Sequence, residues 1–85
     1  MTNQEFLTLR LAGVQTWLSL VGEAVAEGNI LDALDHLVNT RAALDSMEAN
    51  FVEGLRVSGA SWGDIGDILG VSRQAAWAMF SGRLD

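Results

Sequence analysis

Residues 59–80 read GASWGDIGDILGVSRQAAWAMF, and this stretch decides the architecture. Ser61 with Asp64 three positions later can start a short helix, and Ile65, Ile68 and Leu69 recur at the spacing of an inward face. Gly70 ends that helix. Ser72 caps a last one carrying Ala75, Ala76, Met79 and Phe80, and Gly82 is expected to terminate it. Two short helices that cross steeply need a small residue at their contact, which Gly66 supplies. The turn needs a left-handed backbone, which Gly70 adopts without a Cβ penalty. Val71 can plug the space beneath the turn, and Ala76 lets the second helix approach the first.

Upstream the texture is longer and more regular. Leu7, Leu11, Val14, Leu18, Val21 and Val25 alternate at spacings of four and three, the mark of one helical face. Phe6, Trp17, Leu20 and Ala24 widen it. Thr2 and Glu5 form a capping-box pair, and Gly28 suits a left-handed C-terminal residue, so the first helix is expected from about residue 3 to about 27. Gly13 lies inside it at a cost of roughly 1 kcal/mol relative to alanine. Close approach of another backbone is one reason to keep it there, and simple tolerance is another.

Asn29 can cap a second helix with Asp32 in its first turn, where the helix dipole favours an anion. Ile30, Leu34, Leu37, Leu44, Phe51 and Leu55 continue one stripe, interrupted by Arg41 and Glu48, almost to Ser58. A continuous helix is favoured over two helices meeting near Asn39 and Thr40. The short connection at Gly28 and Asn29 makes the first two helices an antiparallel hairpin. The fold class is therefore all-α: a single domain over 1–85, with a hairpin and dimerisation body at 1–57 and a C-terminal pair of helices at 58–85.

Composition narrows the function classes. Apolar residues make up 49% and charged residues 19% of the 85-residue chain, which marks a folding sequence and not a disordered one. A chain this small gains from a partner copy, and the broad face of the first helix points to a homodimer through residues 6–25. Without cysteine there is no disulfide or thiolate metal site. Arg10 and Glu5 break the order of a secretion signal, and no apolar run reaches a membrane span, so a cytoplasmic protein with no membrane association is expected.

The net charge is -6, with eight acids against three arginines up to residue 58 and three acids against two arginines beyond it. Such a field repels phosphate at long range, so any contact with nucleic acid must be local.

The run SWGDIGDILGVSRQAAWAMF, with LGVSRQAA as its nearest part, resembles the helix-turn-helix segments of bacterial transcriptional regulators and of the promoter-reading region of sigma factors. With the preceding EANFVEGLRVSG as a third helix, the resemblance covers residues 48–83. It implies a second helix lying in the major groove of double-stranded DNA. Ser72 and the amides behind it would meet phosphate, Arg73 would meet phosphate or guanine, and Gln74 would meet adenine. Trp77 and Ser81 follow one and two turns on, and Arg56 and Arg83 would hold backbone phosphates. The sequence departs from the pattern in AAWAMF, which is apolar where an outer face is usually polar. Trp77 is open to three roles: a thymine methyl contact, a core residue, or a protein-docking residue. The expected function is a small dimeric DNA-binding transcriptional regulator. The alternative is a protein-interaction module that uses the same fold to dock on a transcription or phage-assembly partner.

Other chemistry is weakly signalled. His36 reads as a solvated surface residue beside Asp32 and Asp35, and one His-Asp pair is not a metal site. GDIGDILG lacks the lysine and preceding strand of a phosphate loop. Trp17 and Trp62 read as packing residues. Scattered acids without a deep pocket give no catalytic centre, so neither enzymatic activity nor a cofactor is expected.

Overall fold

The structure, a computed structural model, describes the backbone of residues 1–84 and the side chains of residues 1–82. It is all-helical: α1 (Asn3–Ala26), α2 (Ile30–Val57), α3 (Trp62–Leu69) and α4 (Arg73–Leu84). No described helix is long and apolar enough to cross a membrane.

Local chemistry sets the ends. The Glu5 N–H donates to Thr2 Oγ1 at 3.1 Å, which is one half of the box expected there. At Asn29 the Asp32 N–H donates to the side-chain carbonyl at 3.1 Å, and the Asn29 amide donates back to the Asp32 carboxylate at 2.8 Å. The box at Ser61 and Asp64 is complete in both directions. Ser72 Oγ accepts the Ala75 N–H at 3.0 Å and so starts α4.

Helix ends follow one device. Gly28 and Gly59 have φ of 74° and 97°, and each is flanked by the paired bonds that close a helix C-terminus. The N–H groups of Gly28 and Asn29 reach the carbonyls of Val25 and Ala24, and those of Gly59 and Ala60 reach Arg56 and Leu55. Gly82 does not repeat the device. It lacks a positive φ, and α4 continues through it to Leu84.

The chain divides into two compact units, residues 1–47 and 48–85. The division falls inside α2, earlier than the 57/58 boundary drawn from sequence, because Ala49 and Val52 belong to the core of the second unit. In the first unit α1 and α2 run antiparallel: Trp17 stands against His36, and Arg10 donates to Ser46. Its seam is narrow. Val14, Ala24, Ala33, Thr40 and Met47 are buried, and Thr40 satisfies its hydroxyl on the His36 carbonyl at 2.8 Å.

The seam overturns one expectation and bears on a question left open. His36 is half-buried, with its ring centroid 6.0 Å from that of Trp17 and its Nδ1 enclosed without a hydrogen-bond partner. It faces α1 because Ala33 and Thr40, three and four positions away, face α1 too. Gly13 also lacks the close contact considered for it, since a Cβ there would meet nothing within 4 Å.

In the second unit Val52, Ile65, Ala76 and Phe80 form the core, with Ala49, Ala60, Trp62, Leu69 and Val71 packed around them. Ile65 and Ala76 are 1% and 0% exposed. Ile68, expected to face inward, is 75% exposed, since it lies about 80° round α3 from the axis that Ile65 and Leu69 share. Met79 of α4 also points out, at 53%.

Candidate nucleic-acid interface

The turn between α3 and α4 is built on two glycines. Gly70 has φ 74°, a conformation that a side chain would strain. A Cβ on Gly66 would lie 2.7 Å from the Val71 carbonyl oxygen and 3.1 Å from the Ser72 carbonyl group. The close approach is therefore to the backbone of the turn, where sequence placed it at the crossing of the two helices. The Gly66 carbonyl accepts from both Gly70 and Val71, closing α3 as the chain reverses. Val71 is half-buried against the core beneath this turn.

This construction fixes where α4 begins. Ser72, Arg73 and Gln74 are all exposed at its N-terminal end. Ser72 Oγ accepts the capping bond, and its hydroxyl keeps a rotatable hydrogen to donate. Among the described bonds the N–H groups of Arg73 and Gln74 have no protein acceptor, so the first turn of α4 offers donors to an anion.

Arg73 and Gln74 share an open cleft of about 320 Å³ with Trp62 and Trp77. Trp77 is 51% exposed, which removes the core role left open for it and leaves its ring at the rim of the cleft. Ser81 is half-exposed further along α4.

Trp62 is partly buried against the core, as a packing residue. Arg56 covers its ring, with the guanidinium carbon 4.8 Å from the centroid, and donates to the Ala60 carbonyl at 2.9 Å. Neither contact was legible from spacing alone. They hold Arg56 in one place beside Trp62 while leaving it exposed, which lowers the entropy lost if it also takes a phosphate. The side chain of Arg83 lies outside the described residues.

Among the described residues no three His, Asp or Glu side chains group as a metal site. A scan against protein-family models, a search of curated proteins and a search of solved structures each found no match to the chain.

Proposed function

We propose that the chain is a small, non-enzymatic DNA-binding transcriptional regulator of the cytoplasm, acting as a homodimer through its N-terminal hairpin. One observation carries the reading: Arg73 and Gln74 stand exposed together at the start of α4, beside unbonded helix amides and held by a turn that admits glycine only. Arginine and glutamine are the side chains that pair bidentately with guanine and adenine edges. The helix N-terminus and Ser72 suit a phosphate, and Arg56 adds a second cation on the same unit.

The overall charge of -6 limits long-range capture, so the contacts must act at short range and two copies must act together. A dimer doubles the few cations and can match two half-sites about 34 Å apart. The hairpin supports dimerisation because Leu11, Leu18 and Val25 of α1 remain 43%, 56% and 55% exposed.

Fluorescence anisotropy against mixed genomic duplexes at low and moderate salt tests the reading. Binding should weaken as salt rises, and Arg73→Ala should weaken it by about 1–3 kcal/mol with unchanged circular dichroism.

A second reading has its own observation. Trp77 and Met79 are both about half exposed on α4, where a groove-facing helix is usually polar. A protein surface docked on the cleft side of α4 would cover Trp77; Met79, two positions on, lies on another side of the helix. Absence of DNA binding at low salt, together with a discrete partner lost in Trp77→Ala, would favour a protein-interaction module.

A further inference from the structure

Among the described residues the apolar stripe of α2 is left only partly covered. Ile30, Leu34, Leu37, Leu44, Phe51 and Leu55 recur along this one helix at steps of four, three, seven, seven and four, and they are 65%, 58%, 42%, 50%, 46% and 38% exposed. The side of α2 that meets α1 is a different one, made by Ala33, His36, Thr40 and Met47. A sustained seam of this spacing is what one helix presents to another.

The same spacing passes through two charged residues, Arg41 and Glu48, both exposed. They lie on either side of Leu44, near the middle of the helix. This pattern is self-complementary in one orientation only. When a copy of α2 is turned end for end about an axis near Leu44, Leu34 meets Leu55, Leu37 meets Phe51 and Leu44 meets Leu44, while Arg41 comes within reach of Glu48 of the partner subunit, twice by symmetry; Ile30 falls past the end of the partner helix. In a parallel pairing Arg41 would face Arg41 and Glu48 would face Glu48, and like charges in a seam are unfavourable.

We propose that α2 pairs antiparallel with α2 of a second copy, the aliphatic stripe supplying the contact and the two Arg41–Glu48 pairs setting orientation and register. This rests on the dimer included in the proposed function and sharpens it, moving the main contact from α1 to α2. On the period of the two helices, Leu11, Leu18 and Val25 of α1 lie on the same side of the hairpin as Leu37 and Leu44, so they flank the seam and widen it.

A charge-swap series on the full chain, read by sedimentation velocity over a range of concentrations, tests the pairing. The wild type should sediment as a dimer of the 9.1 kDa chain. Arg41→Glu and Glu48→Arg should each weaken self-association by roughly tenfold or more, because each puts like charges across the seam twice. The double variant R41E/E48R should restore the dimer, and so should an equimolar mixture of the two single variants. Circular dichroism should show equal helix content throughout. A wild-type dimer indifferent to both single reversals, or a double variant that does not recover, would overturn the α2 pairing and leave a dimer through α1 standing. A wild type that stays monomeric at high micromolar concentration would remove the dimer itself.

Discussion

The two compact units solve the burial problem differently. In residues 48–85 three helical segments surround Val52, Ile65, Ala76 and Phe80, and every member of that core is at most 6% exposed. In residues 1–47 two helices bury Val14, Ala24, Ala33, Thr40 and Met47, while Leu11, Leu18, Leu34, Leu37 and Leu44 stay out. The reason is geometric. A two-helix contact covers one strip on each helix, whereas a third helix covers the flanks of the other two. The second unit encloses a core, although Phe51, Leu55, Ile68, Trp77 and Met79 stay exposed on it; the first buries only a seam.

Equal truncations should therefore have unequal effects. Ile65→Ala, at a site 1% exposed, should cost about 2–5 kcal/mol in chemical denaturation. Leu37→Ala, at a site 42% exposed, should cost much less under dilute conditions. Its effect should surface at high concentration, where the wild-type melting temperature rises with dimer formation and that of the variant rises less. Equal losses at both sites under dilution would erase the distinction between the units.

Glycines make the same comparison at the backbone. Gly66→Ala forces a Cβ to within 2.7 Å of a carbonyl oxygen that belongs to the turn, and should destabilise the chain by about 1–3 kcal/mol or more. Gly13→Ala meets open space inside α1 and should stabilise by about 0.5–1 kcal/mol through helix propensity. A Gly66→Ala protein as stable as the wild type would mean that the turn is looser than drawn.

The same contrast explains what was legible in the sequence. Caps and turns depend on neighbours in the chain, so Asn29, Ser61 and Ser72 announced three helix starts, and Gly28 and Gly70 marked two ends. The continuous α2 followed from its unbroken period. Gly82 misled because a glycine stops a helix only where the backbone turns left-handed, and composition does not say where that happens.

Tertiary facing was harder to read. The stripe of large aliphatics is the prominent pattern of α2, yet the hairpin is closed by Ala33, Thr40 and Met47, small or flexible residues that let the helices approach. His36 was read from Asp32 and Asp35 beside it, whereas Ala33 and Thr40 held the signal that it faces α1. At the candidate interface, the exposure of Arg73 and Gln74 followed from the turn. The stacking of Arg56 on Trp62 joins residues on two elements and left no trace in spacing.

The most direct test of the central claim, that the start of α4 is the DNA-contacting surface, is an amide NMR titration of the labelled chain with duplex DNA at low salt. Shift changes should concentrate at residues 72–77 and around Arg56 and fade as salt is added. Changes confined to the hairpin, or none at all while the protein stays folded, would contradict it.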